Sequence, residues 1–303
     1  MERQFSKIMK GKGKIASYLE LGRFWNGVIA GFIAVFGALL AGTPNTYTLA
    51  VSFFAILFTY FVAAVANDIA DYDCDQINMP YRPLETEEIT LKESYAFMLL
   101  SAAIALAISF FVSLSYLLVI AAMLIAGLCY SLKPFDFKNR GFAANIWLSF
   151  LTIFLSAYSG FVLAANSLVL SMEALSIISS LTITFIFVNL LKDFKDYIGD
   201  SAVKKKTAGV KYGLAILSKL TFFSIPLYIL TVFLINSYFL KSYIFIMISL
   251  AGLAYYSNLI YKLYKNPSIE LGEHVWSKAR AFLFVFLIIL ISFLLASRIM
   301  PLF

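Results

Sequence analysis

TLAVSFFAILFTYFVAAVANDIADYDCD, residues 48–75, runs almost unbroken in apolar side chains from Thr48 to Ala66 and then turns abruptly acidic at Asn67-Asp68-Ile69-Ala70-Asp71-Tyr72-Asp73-Cys74-Asp75. The first part is long enough to cross a hydrocarbon core about 30 Å thick as a helix of about 20 residues. The second part is too costly to place in hydrocarbon, so the junction marks a membrane boundary. Eight more windows of similar length and character lie at Phe24 to Ala41, Tyr95 to Val112, Tyr116 to Leu132, Phe142 to Ala165, Met172 to Leu191, Leu214 to Ile235, Ser242 to Tyr261 and Ala279 to Met300. Ser113-Leu114-Ser115 alone separates two of them. Read as one, they would exceed a single span, so they are counted as two.

The composition agrees. Of 303 residues, 61% are hydrophobic and 14% charged, and the mean hydropathy is +0.87. A soluble domain carries about 25% charged residues, so a water-covered globule is excluded. Fifteen Gly and seven Pro are too few for a fibrous or disordered chain. The expected fold is an all-α polytopic membrane protein, nine transmembrane helices around a central cavity, forming one membrane domain over 1–303. Residues 1–22 are expected to form an interfacial segment before an uncleaved first span. The acidic loops at 67–93 and 192–212 are expected on the cytoplasmic side.

Orientation follows from counting. With a cytoplasmic N-terminus, 22 of the 24 Lys and Arg residues fall inside and only Lys241 and Arg298 outside. All 17 carboxylates except Glu173 sort to the same side. The expected location is therefore a cell membrane, multi-pass, with the active site at the cytoplasmic face. The net charge of +7 follows from this bias and from contact with anionic headgroups, and implies no nucleic-acid partner. Nothing in the sequence points to an obligate protein partner. Cys74 and Cys129 read as free thiols of a reducing compartment.

A second acidic run, Lys192-Asp193-Phe194-Lys195-Asp196-Tyr197-Ile198-Gly199-Asp200, ends the sixth span as the first run ends the second. Both read D-x-x-D-Y-x-x-D, and together they hold seven of the eight Asp residues. On a continuous helix this spacing places Asp68, Asp71 and Asp75 on one face, with Asp73 off it, and Asp193, Asp196 and Asp200 on another. Three stacked carboxylates at a membrane boundary call for a cation. Mg²⁺ fits, because it takes a few carboxylates and completes its shell with water and phosphate oxygens. Two such helices facing each other, in two pseudo-repeated bundles, would hold a diphosphate between them.

Complementary charge lies nearby. Asn78, Pro80, Arg82 and Pro83 follow the first motif, and Lys204, Lys205, Lys206 and Thr207 follow the second. Tyr130, Ser131, Lys133, Lys138 and Arg140 lie between spans four and five, and Arg23 and Asn26 sit one turn apart at the start of the first span. Arg82, flanked by proline, is the first choice for a bidentate grip on phosphate oxygens.

These residues resemble the UbiA superfamily of intramembrane prenyltransferases. NDIADYDCD with its trailing Asn78, Pro80, Arg82 and Pro83 is similar to the family's NDxxDxxxD signature, and DFKDYIGD to its second, DxxDxxxD. The resemblance implies that Asp68, Asp71, Asp75, Asp193, Asp196 and Asp200 bind Mg²⁺ against an isoprenyl diphosphate. It implies substrate contacts from Asn67, Arg82, Asn26, Arg23, Tyr130, Lys192 and Lys204 and from Lys133 or Lys138, with Asp71, Asp196 and Arg82 central to catalysis. A lipophilic acceptor would attack the resulting allylic cation. By analogy, the short chain with abundant Lys, Ile and Phe leans to the archaeal digeranylgeranylglyceryl phosphate synthase branch. The KKKTAG tail at 204–209 departs from the family's usual Gly-x-Lys-Thr-Leu-Pro.

The competing class is an ion-coupled transporter using the same carboxylates, although these sit at helix ends on one face and away from the midplane. A CDP-alcohol phosphotransferase needs an Asp-Gly pair, which is absent, and a zinc protease needs two histidines where this chain has only His274.

Overall fold

Several helices of this very apolar chain start at a polar side-chain cap. The computed structural model describes residues 13–299. Residues 1–12 of the expected interfacial segment, and the end of the last window at Met300, lie outside the described residues, as does the side chain of Asn78. A short helix α1 (Lys14–Leu21) precedes α2 (Phe24–Ala41) and α3 (Thr46–Ala70), the latter capped by Asn45 Oδ1, which accepts from the Thr48 amide at 2.8 Å. Helix α4 (Tyr72–Asn78) follows directly. A capping box of Thr90 and Glu93 opens α5 (Leu91–Phe110). The Ser113 hydroxyl then accepts from the Tyr116 amide at 3.2 Å and starts α6 (Leu114–Ser131). One serine cap thus divides the long apolar run into two spans.

The fifth span joins α7 (Phe142–Ser149) and α8 (Ser156–Ala165) through a π-helical stretch, Phe150–Leu155. The sixth joins α9 (Met172–Val188) to α10 (Lys192–Ala202) through a 3₁₀ turn, Asn189–Leu191. After the short α11 (Ala208–Tyr212), helices α12 (Leu214–Leu220) and α13 (Ser224–Ile235) form the seventh span, α14 (Tyr243–Lys265) the eighth and α15 (Ile269–Ile299) the ninth. Among the described residues, nine helical stretches are long and apolar enough to cross a membrane. Leu99, Phe110, Leu118, Ile125, Phe233 and Met247 point outward, as lipid-facing side chains do. The chain is a multi-pass, all-helical membrane protein.

Two large clusters make up most of the core among the described residues, beside three small ones. Helices α3, α5 and α6 pack around Ala55, Ile120 and Met123, while α9, α13, α14 and α15 pack around Ile178, Val232, Phe245 and Leu287. Helices α2 and α8 belong to both, because Ala30, Ala34 and Val162 face one cluster and Ile33, Phe36, Ala157 and Phe161 the other. These two central helices meet at glycine. A Cβ on Gly37 would lie 1.8 Å from the Ala157 carbonyl oxygen, and one on Gly160 would lie 1.8 Å from that of Ala34. Small residues let membrane helices approach backbone to backbone where the hydrophobic effect gives little drive. Buried hydroxyls add polar contacts between helices, Ser180 to Thr231 at 2.8 Å and Ser224 to Tyr256 at 2.9 Å.

Candidate active site

Helix takes up residues 67–70, 72–78 and 192–202 of the segments 67–93 and 192–212 expected as acidic loops, and the first motif departs from the continuous helix that its spacing suggests. Helix α3 ends at Ala70, Asp71 turns the chain at φ −102°, ψ 7°, and α4 restarts at Tyr72. The three carboxylates are therefore not equivalent. Asp68 and Asp75 are both gripped by Arg82, whose Nη1 lies 3.1 Å from Asp68 Oδ1 and also meets Asp75 Oδ2. Asp68 is also paired with Arg23 Nη2, which donates to Asn67 Oδ1 at 3.0 Å. Asp71 points elsewhere. Its Oδ2 accepts from Asn67 Nδ2 at 2.8 Å, and its Oδ1 meets Lys138 Nζ at 2.8 Å and Lys205 Nζ. Asp73 is exposed.

The second motif stays on one helix. Asp193 Oδ2 accepts from the Gly209 amide at 2.9 Å, and Asp200 Oδ1 accepts from the Cys74 thiol at 3.5 Å. Asp196 lies 3.9 Å from Lys195 Nζ. Phe194, fully buried, seats α10 against α15 at Gly272, where an added Cβ would lie 2.3 Å from its ring.

The motifs meet through a cation. Lys205 Nζ pairs with Asp71 and lies 3.6 Å from Asp200 Oδ1, joining one carboxylate from each run. A backbone contact fixes this arrangement. The Gly141 amide donates to the Lys206 carbonyl at 2.7 Å, and Gly141 and Thr207 form an isolated bridge, so the loop carrying Lys138 and the loop carrying Lys205 are tied side by side. Gly141 does this at φ +60°, a conformation that favours glycine.

Electrostatics follow the pairs. Burial pushes the Asp71 carboxyl up, and the ammonium groups of Lys138 and Lys205 outweigh it, holding the group at about 2. Asp75 is pushed up to about 6 by burial, against the pull of Arg82. Burial also raises Glu85, in the loop after Arg82, to about 7, and the Cys74 thiol to about 11, so the thiol acts as a neutral donor. Asp71 and Asp200 together outweigh burial and keep Lys205 above its ordinary value.

Carboxylates of both motifs border a cavity of about 220 Å³. Its polar end carries Asp71, Asp75, Asp193, Asp196, Asp200, Arg82, Lys138, Lys192 and Lys205, and its apolar walls include Ile33, Ile56, Met123, Leu151, Phe185 and Leu283. Asn67, Arg23, Asn26 and Tyr130 also line it, with Lys192 Nζ 3.4 Å from the Tyr130 hydroxyl. Asp68 is buried behind the lining and paired with the cavity-lining Arg23 and Arg82.

Two of the sequence choices are placed elsewhere. Lys133 and Lys204 are exposed and absent from the lining, and their places at the site are taken by Lys138 and Lys205. Sequence reasoning also passed over Lys195, Trp276 and Arg280 in the lining. Charged residues just inside the ninth span were the available signal for Arg280.

Among the described residues, no three His, Cys, Asp or Glu side chains already converge at metal-binding distance. The donor set nevertheless fits a hard divalent cation. It is made of carboxylates from two helices, and a lysine ammonium already lies between Asp71 and Asp200. Asp71, Asp75, Asp193, Asp196 and Asp200 are the residues able to hold such an ion.

Known proteins resemble this chain in sequence and in fold. The chain is 28% identical over 204 residues to the digeranylgeranylglyceryl phosphate synthase of Saccharolobus solfataricus, covering 66% of this chain and 70% of that one. It is 25% identical over 297 residues to the enzyme of the same name from Methanococcus aeolicus, covering 94% and 98%. Its fold is similar to that of a UbiA homolog from Archaeoglobus fulgidus solved with DMAPP and Mg²⁺, at 20% identity and a TM-score of 0.65 over 89% of this chain and 99% of that one. The pattern of the UbiA prenyltransferase family matches residues 30–276, and the chain belongs to that family.

Proposed function

We propose that this protein transfers an isoprenyl group from an isoprenyl diphosphate to a lipophilic acceptor in a Mg²⁺-dependent reaction, with geranylgeranylglyceryl phosphate as the acceptor. The observation that carries this reading is the meeting of two acidic motifs, Asp71 and Asp200 across Lys205, at the polar end of an apolar cavity. The names of the archaeal relatives support the acceptor, and the Archaeoglobus neighbour bound to DMAPP and Mg²⁺ supports the donor and metal.

In this reading Asp71, Asp75, Asp193, Asp196 and Asp200 form the metal-bearing rim, and Asp68 acts from behind it through its hold on Arg23 and Arg82. When bound, Mg²⁺ supplies Lewis-acid stabilisation of charge on the departing diphosphate. Arg82, Lys138 and Lys205 add fixed positive charge where negative charge develops on the leaving oxygens. Tyr130 keeps the Lys192 ammonium turned to the same end. The apolar walls exclude water, so the allylic cation left by C–O cleavage meets the acceptor hydroxyl first. A new C–O bond forms and the hydroxyl proton is released. The charge asymmetry of the loops supports a rim on the cytoplasmic side, with the N-terminus cytoplasmic.

The test is direct. Purified protein incubated with geranylgeranyl diphosphate, Mg²⁺ and geranylgeranylglyceryl phosphate is expected to yield the diether, detected by mass spectrometry, and no diether when Mg²⁺ is chelated. Donor binding without transfer to this acceptor, but with transfer to an aromatic one, would overturn the acceptor assignment.

A further inference from the structure

A further arginine of the cavity lining comes from outside the two acidic motifs. Arg280 belongs to α15 and shares its cavity-lining face with Trp276, Ala279 and Leu283. Its Nη1 donates to Asn26 Oδ1 at 3.2 Å, and its guanidinium carbon lies 5.3 Å from the centre of the Trp276 ring. The Asn26 backbone amide in turn donates to the Arg23 carbonyl at 2.9 Å, and the Arg23 side chain reaches Asn67 and Asp68 of the first motif. Among the described residues, the carboxylates lining the cavity all belong to the two motifs. The α2–α15 wall therefore presents donors, while the rim presents both signs of charge.

Residues 281–296 after Arg280 contain no charged side chain. A guanidinium at that boundary, stacked on an indole and oriented by an amide, offers a planar fork of donors for an oxyanion. Asn26, with its Oδ1 taken by Arg280, adds its side-chain N–H groups on the same wall. We propose that Arg280 and Asn26 bind the phosphate head of the acceptor lipid, at an anion site separate from that of the donor diphosphate. This assignment rests on geranylgeranylglyceryl phosphate being the acceptor. A phosphate monoester entering a low-dielectric cavity needs a counter-charge, and the Arg280 guanidinium supplies one on the α15 side of the lining. The acceptor's apolar tail would then follow the uncharged stretch of α15.

The experiment compares two acceptors, geranylgeranylglyceryl phosphate and geranylgeranylglycerol, at saturating geranylgeranyl diphosphate and Mg²⁺. Arg280→Gln is expected to raise KM for the phosphate lipid at least about tenfold, the scale of a lost charge-assisted hydrogen bond, while the KM for donor stays where it is. Geranylgeranylglycerol is expected to be a poor acceptor for the unaltered protein and no poorer for the variant. Asn26→Asp, which places a carboxylate against Arg280 at nearly constant volume, should reproduce the pattern. Arg280→Lys should recover part of the loss. A donor-dependent thermal shift retained in each variant shows that it is folded. An equal rise in donor KM, or equal use of the two acceptors by the unaltered protein, overturns the site. If the unaltered protein binds donor but transfers to neither lipid, the acceptor assignment itself has failed, and the site falls with it.

Discussion

Residues 68–75 and 193–200 carry the same D-x-x-D-Y-x-x-D letters, and the fold builds them in different ways. The first is broken at Asp71 and organised by ion pairs with Arg23, Arg82, Lys138 and Lys205. The second runs unbroken from Lys192 to Ala202 and is organised by a backbone amide, a thiol, and pairs with Lys195 and the shared Lys205. The loops behind the two motifs explain the contrast. The loop carrying Pro80, Arg82 and Pro83 folds back so that Arg82 bonds its own motif. The turn at Lys204, φ +56°, instead sends Lys205 across to the other one. Spacing thus sets which residues can share a face, and the flanking loops decide which charges they meet.

If the two motifs contribute equally to one metal-diphosphate site despite this difference, Asp71→Asn and Asp196→Asn should be equally severe. Each is expected to lower transfer by about two orders of magnitude or more, read as initial rate of labelled product. A large loss from one alone would show that only one motif bears the chemistry. Lys205→Met removes the link between them. Its donor affinity should fall about tenfold to a hundredfold, as for a lost charge-assisted contact, measured by titration with geranylgeranyl diphosphate.

The seat of the second motif gives a sharper contrast. Gly272→Ala places a methyl group 2.3 Å from the Phe194 ring, an overpacking expected to cost about 1–3 kcal/mol and visible as a lower Tm. Because Phe194 lies on α10, the variant should also weaken Mg²⁺-dependent stabilisation.

Protonation separates individual groups of the first motif region. Asp75 at about 6 and Glu85 at about 7 favour their protonated forms in the folded chain, so they lower stability as pH rises from about 4 through those values. Asp71, held at about 2, works in the opposite sense: its contribution is complete above the ordinary value of 3.8 and is lost as pH falls through about 2. Metal-free protein should therefore show a Tm that declines between about pH 5 and 7, and Asp75→Asn with Glu85→Gln should flatten that decline. A Tm that climbs over the same interval contradicts these assignments. The smallest effect is expected from Asp73→Asn, an exposed residue off the cavity, with transfer within about twofold of the unaltered rate.

Much of this architecture is legible in the sequence because membrane spans are long, apolar and bounded by charge. The nine spans, the pairing of the motifs and the family resemblance all rest on such signals. The break at Asp71 is not legible, since D-x-x-D spacing suits a continuous helix, whereas the folded chain turns there between Asp68 and Asp75, the two carboxylates that Arg82 grips. Nor can a run such as Lys204-Lys205-Lys206 reveal which ammonium turns inward. That choice depends on the Gly141–Thr207 bridge, a contact between loops more than sixty residues apart. Likewise only the folded chain shows that Lys138 is buried against Asp71 while Lys133 is exposed. Arg280 was counted toward topology, and only the packing of α15 beside α2 places it in the cavity wall.

The central claim is that the two motifs form one Mg²⁺-dependent diphosphate site. Thermal unfolding of purified protein with geranylgeranyl diphosphate, with Mg²⁺, with both and with neither tests it most directly, since a ligand specific to the folded state raises apparent stability by mass action. The claim predicts a rise in Tm that requires both ligands together and disappears in Asp71→Asn and in Asp196→Asn. A rise with simple ions alone, and none with an isoprenyl diphosphate of any length, would contradict it and favour an ion-coupled transporter.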